Sequence, residues 1–533
     1  MLSTGLSRKR VVVAEAFAED GLAVLRDAGI EVDSLVGRSR ADLVAALAEA
    51  DGLIVRSETR VDRELLAAGP RLAVVARAGV GVDAIDVAAA TDAGILVLNT
   101  PGANTLAATE QTFALMLSLA RRVPDAVAQL RAGVWDRSSL IGTELHGKTL
   151  GIVGLGRIGA HVAARARAFG MTILVHDPYV SVARADAFDA RLVDLDTLLR
   201  ESDVVTLHVP LTSQTLGLID AEKLRLLRRH AYLINCARGG VIVERDLLAA
   251  LDAGGLAGAA LDVVADEPPP PGGTGAALHR HPRVVATPHL GGSTYEALAR
   301  IATELAQDVA RVLLGAPASG AVNAPVPEGP LADRIVPFLE VAYRLGRFYP
   351  QYARPARMPA FVLVLGGALA DVPAEPLTRA FMSGLLQATT DRRVSVVNAE
   401  SIAHEQGIVV TARGDATASS YASSLRLVAD DVSITGTSLT GSPRIVELDG
   451  YEIDATPLGA MLITQHADVP GMIGRVGTIL GNAQVNISTM QVSRNTVGGD
   501  AIMVLSTDRP AGEATLAALR AVPGIGSVRS LAV

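Results

Sequence analysis

The chain is poor in aromatic residues, which make up 3% of its 533 residues, and it contains a single cysteine, Cys236. With so few aromatic side chains, the hydrophobic cores have to be built from Ala, Val, Leu and Ile, which suits buried parallel strands under helices. One cysteine can form no internal disulfide and cannot supply a thiolate metal cluster, so we expect a reducing compartment and no metal site. We interpret Cys236 as a small apolar residue without a redox role.

The sequence also lacks long apolar runs and an excess of positive charge. No run approaches the roughly 20 residues needed to span a bilayer, and no signal-peptide apolar segment follows the basic residues 8–10. The formal charge is −8, from 48 basic and 56 acidic residues, which gives no electrostatic footprint for nucleic acid or an anionic membrane. We therefore expect a cytoplasmic protein with neither of these partners.

Length and apolar periodicity predict an α/β protein of three or four domains, since the chain is too long for one hydrophobic core. Strand-length apolar runs alternate with stretches long enough for crossover helices in two series, which predicts two doubly wound parallel sheets. The first series comprises residues 11–14, 52–55, 72–76 and 95–98, and the second comprises 150–153, 172–176, 204–209, 232–236, 259–263 and 284–287.

The remaining segments predict how these units are connected. A helix over residues 294–314 could return the chain to the first sheet, and residues 316–330, rich in Ala, Pro and Gly, are interpreted as a linker. Two α+β units follow. The first is predicted to have strands at 361–365, 394–397 and 408–411, and the last, 461–533, has the βαββαβ order of a ferredoxin-like fold. The predicted domains are 1–103 with 290–317, 104–289, 318–456 and 457–533.

A glycine-rich turn follows the first strand of the second series. Residues 154–159 read Gly-Leu-Gly-Arg-Ile-Gly, and such a turn lets backbone N–H groups and a helix N-terminus hold a pyrophosphate. The next strand ends in Asp177, where a carboxylate would accept hydrogen bonds from ribose hydroxyls and repel a 2′-phosphate. The pair predicts NAD rather than NADP, and a structural glycine turn is the alternative.

Three polar side chains follow the last strands of the second series, namely Arg238, Glu267 and His289. Arg238 could grip a substrate carboxylate in bidentate fashion or could be a surface ion-pair partner. His289 is suited to take the hydroxyl proton during hydride transfer from a hydroxy acid. Glu267 would stabilise the protonated imidazole and orient it, although the proline-rich run 268–271 leaves its geometry open. The set predicts a dehydrogenase for a small 2-hydroxy or 2-keto acid.

The motifs at 154–159, 235–240, 262–268 and 287–291 together resemble those of the D-isomer-specific 2-hydroxyacid dehydrogenase family, and the resemblance covers residues 11–315. Within that family, residues 77–83 with Asn104 are similar to the enzymes that act on D-3-phosphoglycerate. The resemblance implies NAD-dependent oxidation of D-3-phosphoglycerate to 3-phosphohydroxypyruvate, the first step of L-serine synthesis, by a homotetramer. The alternatives are another acid such as hydroxypyruvate, glyoxylate or 2-oxoglutarate, and a binding protein that senses NAD.

The resemblance also implies which residues contact the ligands. The implied substrate contacts are Arg56, Ser57, Gly79, Asn104 and Arg137, of which Arg137 could serve a neighbouring subunit. The implied cofactor contacts are Val80, Gly154, Gly156, Arg157, Ile158, Asp177, His208, Val209, Pro210, Cys236, Ala237, Arg238, Asp262, His289, Gly291 and Gly292.

The last third resembles two regulatory modules. Residues 463–474 with 481–487 are similar to an ACT domain, which implies L-serine binding at a subunit interface by His466, Asp468 and Asn486. Asp468 could pair with an ammonium group while the Asn486 amide holds a carboxylate; a structural domain without a ligand is the alternative. Residues 318–455 resemble the intervening domain of the long bacterial enzymes, and an anion site there is left open.

Overall fold

The computed structural model describes residues 8–315, 318, 320–324, 329–417 and 421–533. Its first sheet has five parallel strands in the order β2-β1-β3-β4-β5. The strands are β1 Arg10–Val13, β2 Glu31–Ser34, β3 Gly52–Val55, β4 Val74–Arg77 and β5 Leu96–Leu98, and the helices between them are α1 Glu19–Asp27, α2 Arg40–Leu47, α3 Arg63–Ala67 and α4 Val87–Asp92. The apolar series predicted four of these strands. It missed β2, an edge strand whose residues are all partly or fully exposed.

The second sheet has seven parallel strands in the order β12-β11-β10-β9-β6-β7-β8. The strands are β6 Thr149–Val153, β7 Thr172–His176, β8 Ala190–Leu192, β9 Val204–Leu207, β10 Tyr232–Asn235, β11 Gly258–Leu261 and β12 Val284–Ala286. The helices are α5 Thr105–Ala120, α6 Val123–Arg131, α7 Arg157–Ala168, α8 Val182–Asp186, α9 Leu195–Glu201, α10 Ala221–Leu224, α11 Glu244–Asp252 and α12 Thr274–Arg280. The strand order reverses at β6, and such a switch point is where open α/β sheets bind ligands.

Helix α13 (Tyr295–Leu313) brings the chain back from the second sheet to the first. Its buried residues Leu305 and Val309 belong to the same apolar core as Val11 in β1 and Leu25 in α1. The first sheet is therefore covered on one face by a helix that follows the second sheet in sequence. Seven of the fifteen residues of the predicted linker, 316, 317, 319 and 325–328, lie outside the described residues, and its last residue, Pro330, begins helix α14.

The third sheet is mixed, with the strand order β14-β13-β15-β16-β17-β18. Its elements are α14 Pro330–Ala353, β13 Phe361–Gly367, α15 Glu375–Gln387, α16 Ala399–Glu405, β14 Val410–Asp415, β15 Ser423–Ala429, β16 Val432–Leu439, β17 Ser442–Leu448 and β18 Tyr451–Ala455. The strand predicted at 394–397 is wrong, because this segment is an irregular turn. The Asn398 side chain forms the turn by accepting a hydrogen bond from Ser395 N (2.8 Å) and donating one to Arg393 O (3.0 Å).

The fourth sheet is antiparallel, with the order β20-β21-β19-β22. Its elements are β19 Ala460–Ala467, α17 Met472–Asn482, β20 Ile487–Arg494, β21 Asp500–Thr507, α18 Glu513–Arg520 and β22 Ile525–Ala532, in the predicted βαββαβ order. One face of this sheet packs under α17 and α18. The other face contributes Ile463 and Val504 to a core shared with Leu345 of α14, so the last two units are joined by apolar packing.

These sheets confirm the predicted fold class, two doubly wound parallel sheets followed by two α+β units. Within the described ranges, no helix is both long enough and apolar enough to cross a membrane.

Candidate active site

Two adjoining cavities lie where the carboxyl ends of strands from the two parallel sheets face each other. The first, which we call the glycine-loop cavity, has a volume of about 280 Å³ and is lined by Val80, Pro101, Asn104, Ala108, Arg157, Ile158, His208, Val209, Pro210, Cys236, Ala237, Arg238, Asp262, His289, Gly291 and Gly292. The second, the arginine cavity, has a volume of about 310 Å³ and is lined by Arg56, Ser57, Arg77, Ala78, Gly79, Asn104, Glu267, Pro288, His289, Gly292, Ser293, Leu298 and Ile301.

His289 lines both cavities and is paired with Glu267. The His289 Nδ1 atom lies 2.6 Å from Glu267 Oε2, and the other carboxylate oxygen, Oε1, accepts a hydrogen bond from Val264 N at 3.2 Å. The proline-rich run after Glu267 thus leaves its carboxylate within reach of the imidazole. Because Nδ1 is engaged with the carboxylate, Nε2 is the ring atom that can exchange a proton with a ligand.

Asp262 holds the loop that carries His289. Its carboxylate is buried, with 1% of the residue exposed, and it accepts hydrogen bonds from Leu290 N and Gly291 N, each at 2.8 Å, and from Thr287 Oγ1 at 2.5 Å. His289 N donates to Asp262 O at 2.8 Å. These contacts support a left-handed conformation at His289, whose φ is 53°, a strained conformation for a side chain of this size. The imidazole position is therefore set by its backbone as well as by Glu267.

Arg238 follows strand β10 and is fixed by the turn after it. The buried Asn235 side chain accepts a hydrogen bond from Ala237 N at 3.0 Å and donates one to Arg238 O at 2.9 Å. The Arg238 guanidinium donates from Nη1 to Ala237 O at 2.7 Å and from Nε to Asp83 Oδ2 at 3.2 Å. Asp83 follows β4 of the first sheet, so this ion pair joins the two parallel-sheet units.

The glycine-rich turn after β6 closely approaches the neighbouring backbone. A Cβ on Gly154, whose φ is 94°, would lie 2.7 Å from His208 O, and a Cβ on Gly159 would lie 2.0 Å from Gly154 O. The Asp177 carboxylate accepts a hydrogen bond from Leu155 N at 2.9 Å and thereby ties the end of β7 to this turn. The turn leads directly into α7, whose N-terminal Arg157 and Ile158 line the glycine-loop cavity. This is a suitable cradle for the pyrophosphate of a dinucleotide.

Two titratable side chains of the glycine-loop cavity are neutral at physiological pH. Burial lowers the pKa of His208 to about 4, and its Nε2 lies 3.0 Å from Thr206 Oγ1. Burial raises the pKa of the Cys236 thiol to about 12, so this thiol carries no charge and is not an activated nucleophile. Both residues therefore present uncharged surface to a ligand in this cavity.

The arginine cavity contains a cationic residue that the sequence interpretation did not single out, Arg77 at the end of β4. Burial, together with the nearby Arg238, lowers the pKa of Arg77 to about 10, so it remains protonated at neutral pH. A Cβ on Gly79, whose φ is 147°, would lie 1.5 Å from Arg77 Nη1, which explains the need for glycine there. Arg77 begins the motif 77–83, and an arginine at the end of a parallel strand in such a motif indicates a ligand contact.

Arg56, which follows β3, is held in the same cavity by Glu15. Burial raises the pKa of the Glu15 carboxyl, but hydrogen bonds from the backbone N–H groups of Arg56, Thr59 and Glu58 outweigh this and keep the pKa below its usual value. The Arg56 and Thr59 donors both lie 2.9 Å from Glu15 Oε1. The anionic Glu15 therefore stabilises the loop that presents Arg56 and Ser57.

Asn104 lies between the cavities and lines both. Its Oδ1 atom is buried and has no hydrogen-bond partner among the described residues. Because a buried acceptor without a partner carries a free-energy cost, a ligand with a donor group is the natural partner for it.

Four of the predicted ligand contacts lie away from these cavities in one chain, namely Arg137 and the three ACT residues. Arg137 is exposed, as are Trp135 and Ile141, which are near it in sequence and have exposed fractions of 80% and 81%. His466 and Asp468 lie at one end of the fourth sheet, whereas Asn486 precedes β20 at the other end. Strand β19, which has 8 residues, runs between these two ends of the sheet. At about 3.4 Å per residue, it separates His466 and Asp468 from Asn486 by roughly 20 to 25 Å. One chain therefore does not bring the three effector residues together.

Comparison with known proteins assigns the chain to a family. A D-3-phosphoglycerate dehydrogenase from Synechocystis is 42% identical to this chain over 523 residues, which cover 97% of this chain and 93% of the relative. The chain belongs to the D-3-phosphoglycerate dehydrogenase family. Members from Bacillus subtilis and Methanocaldococcus jannaschii are 40% and 38% identical, over 98% and 97% of this chain and 99% of each relative.

Three family models match successive segments of the chain. They describe the NAD-binding domain of D-isomer-specific 2-hydroxyacid dehydrogenases (residues 113–291), the D-3-phosphoglycerate dehydrogenase intervening domain (334–449) and an ACT domain (460–524). The predicted family resemblance and the predicted NAD cofactor are thereby confirmed.

Solved structures resemble the first two units. A D-lactate dehydrogenase from Aquifex aeolicus, complexed with NAD and lactic acid, is 30% identical with a TM-score of 0.52, covering 57% of this chain and 96% of that one. A glyoxylate reductase from Paecilomyes thermophila is 28% identical with a TM-score of 0.54, covering 60% and 99%. The fold around the two cavities is therefore common to dehydrogenases of several 2-hydroxy acids, and the fold alone does not distinguish their substrates.

Proposed function

We propose that this chain is an NAD-dependent D-3-phosphoglycerate dehydrogenase, which forms 3-phosphohydroxypyruvate in the cytoplasm as the first step of L-serine synthesis. The observation that carries the proposal is the position of His289, which lies between the glycine-loop cavity and a cavity lined by Arg56 and Arg77. A proton acceptor at that point can serve a substrate whose anionic end is held by arginines and whose reacting carbon faces the cofactor.

In the proposed reaction, Arg238 binds the substrate carboxylate and the oxygen that becomes the carbonyl. His289 Nε2 accepts the hydroxyl proton, and Glu267 at 2.6 Å from Nδ1 stabilises the resulting imidazolium. NAD, when bound, accepts the hydride. Asn104 Oδ1, a buried acceptor in both cavities, is suited to a donor group on either ligand.

The cofactor contacts follow from the glycine-loop cavity. The turn at Gly154 and Gly156 with the α7 N-terminus would hold the pyrophosphate, and Asp177 would hold the ribose hydroxyls. The uncharged His208 and Cys236 would face the less polar parts of the cofactor. Thirteen of the sixteen cofactor contacts implied by the family resemblance line this cavity, and the exceptions are Gly154, Gly156 and Asp177.

The substrate phosphate is assigned to Arg56, Ser57 and Arg77, because a doubly charged phosphate is matched by bidentate guanidinium donors. Arg137 joins them only if a second copy of the chain supplies it. The exposed apolar side chains near it in sequence, Trp135 and Ile141, would be buried in such an assembly. We therefore place Arg137 at a subunit interface of the proposed homotetramer.

Replacing Arg77 by methionine tests the substrate. Loss of a hydrogen-bonded charge opposite a phosphate is expected to lower kcat/KM for D-3-phosphoglycerate by about 10- to 100-fold. Turnover of an unphosphorylated acid such as D-glycerate should change far less, because it makes no phosphate contact. The measurement is steady-state NADH formation with both acids. Arg225→Met, an exposed surface change on the second unit, is the matched control.

Two results would contradict the substrate assignment. One is higher activity of the unmodified protein on unphosphorylated acids than on D-3-phosphoglycerate. The other is an equal loss on both acids in the Arg77→Met variant, which would place Arg77 in a role unrelated to the phosphate.

The chain is divided in our proposal into a discontinuous substrate domain (1–103 with 290–317), an NAD domain (104–289), an intervening domain (318–456) and an ACT domain (457–533). Residue 317, at one of these boundaries, lies outside the described residues.

The proposed effector is L-serine, bound where His466 and Asp468 of one copy meet Asn486 of another. The Asp468 carboxylate is suited to an ammonium group, because hydrogen bonding from Gly498 N and Arg494 keeps its pKa below the usual value.

L-serine is expected to lower D-3-phosphoglycerate turnover at millimolar concentration, and Asn486→Ala should remove most of this effect while leaving the activity without serine unchanged. Asn482→Ala, an exposed asparagine at the end of α17, is the matched control and should respond to serine normally. The measurement is kcat and KM with and without serine. If serine changes neither parameter of the unmodified enzyme, the ACT domain has no serine site.

A further inference from the structure

The Arg238 guanidinium is contacted by a carboxylate from the other parallel-sheet unit. Arg238 Nε donates to Asp83 Oδ2 at 3.2 Å, while Nη1 donates to the adjacent Ala237 carbonyl at 2.7 Å. A guanidinium has five N–H donors. These two contacts engage Nε and one donor of Nη1, so donors on both Nη atoms can still take part in a bidentate bond to a ligand carboxylate.

The loop that follows β4 and carries Asp83 leaves room for this ion pair. A Cβ on Gly81 would lie 2.1 Å from Arg238 Nη2 and 2.6 Å from Asp83 Oδ2. Both charged groups therefore lie directly over the Gly81 backbone. Any side chain at this position would push the guanidinium, the carboxylate or both away, so Gly81 is required for the pair.

Asp83 also lies among cationic groups that need compensation. The positive charges of Arg238 and Arg56 lower the pKa of Arg77, whereas the negative charge of Asp83 raises it. Asp83 lines neither the glycine-loop cavity nor the arginine cavity, and 61% of its side chain is exposed. Its carboxylate thus approaches Arg238 from outside the cavities, where it can orient the guanidinium without competing for the substrate.

We propose that Asp83 is a positioning residue for Arg238. It holds the guanidinium at Nε so that the Nη edge meets the substrate carboxylate, and its charge offsets part of the repulsion among the three arginines. The inference rests on the proposed role of Arg238 in substrate binding. Because the two residues follow strands of different sheets, the orientation of Arg238 depends on the position of the substrate domain relative to the NAD domain.

The test is a double-mutant cycle between Asp83→Asn and Arg238→Ala. In the cycle, the dissociation constant of D-3-phosphoglycerate from the complex of the enzyme with NADH is followed by NADH fluorescence, which does not require turnover. Asp83→Asn keeps the shape and removes the charge, and it is expected to weaken substrate binding about fivefold. In the Arg238→Ala background the same change should have a much smaller effect, because the side chain that Asp83 positions is absent and only its interaction with Arg77 remains.

Further variants separate positioning from a general structural effect. Gly81→Ala should weaken substrate binding selectively, as Asp83→Asn does, while NADH affinity stays near that of the unmodified enzyme. Asp86→Asn, in the same loop, keeps a competent N-cap for α4 and is the control with unchanged substrate binding.

The proposal is overturned if Asp83→Asn leaves substrate affinity unchanged, or if it weakens binding equally with and without Arg238. The unmodified enzyme separately reports on the proposed function through its turnover of D-3-phosphoglycerate. If a different 2-hydroxy acid proves to be the substrate, the cycle is measured with that acid, since its carboxylate would make the same contact with Arg238.

Discussion

Replacing His289 by alanine is expected to lower kcat by about 10²- to 10⁴-fold, the usual contribution of a general base. The imidazole is the group that the structure places between the two cavities, and Nε2 is the ring nitrogen not engaged by Glu267. NADH affinity should remain close to that of the unmodified enzyme, because the glycine-rich turn and α7 do not depend on this side chain. The measurements are steady-state kinetics and NADH fluorescence titration.

The control for this variant is His279→Ala, an exposed histidine in the last turn of α12, which should keep full activity. Glu267→Gln should give an intermediate loss of kcat, since it keeps a hydrogen-bonding group near Nδ1 but removes the charge that stabilises the imidazolium. Full kcat in the His289→Ala variant would rule out His289 as the base, whatever the behaviour of Glu267.

The cavities were largely predictable from sequence because of strand geometry. In a parallel sheet all carboxyl ends meet at one edge, so residues just after the strands, such as His208, Arg238 and Asp262, are brought together once the strands are recognised. In the two parallel sheets, the strands that were missed are β2 and β8, which have few buried residues. Apolar runs are produced by burial on both faces, and short exposed edge strands lack that signal.

The contacts between units could not be predicted in the same way. The pairing of Asp83 with Arg238, separated by 155 residues in sequence, depends on how two sheets face each other, and no local pattern encodes that arrangement. The irregular turn at 394–397 shows a related limit. Its apolar residues resemble a strand, but the Asn398 side chain supplies the hydrogen bonds that a neighbouring strand would otherwise provide.

The shared core of the last two units was also not foreseen. A ferredoxin-like sheet usually has one face covered by its own helices, and here the second face is covered by α14. Sequence periodicity shows that a face is apolar but not what packs on it. Because the two units share buried side chains, they are joined by apolar packing and not only by the chain connection between them.

Arg238→Ala is expected to lower kcat/KM for D-3-phosphoglycerate by about 10²- to 10⁴-fold, because it removes a bidentate charged contact and leaves the substrate carboxylate without its partner. Arg238→Lys should recover only part of this loss, since an ammonium keeps the charge but not the planar fork that matches a carboxylate. Arg245→Ala, an exposed change in α11, is the control. Steady-state kinetics at saturating NAD measure the effect.

The lysine variant distinguishes two roles for Arg238. If the residue acted only as a nearby positive charge, Arg238→Lys would keep nearly the full kcat/KM. If the planar geometry of the guanidinium matters, Arg238→Lys should have a much lower kcat/KM than the unmodified enzyme. Asp83→Asn should then cause no further loss in the lysine variant, because an ammonium has no Nε–H for Asp83 to orient. Equal kcat/KM in the lysine variant and the unmodified enzyme would therefore contradict both the bidentate contact and the positioning role of Asp83.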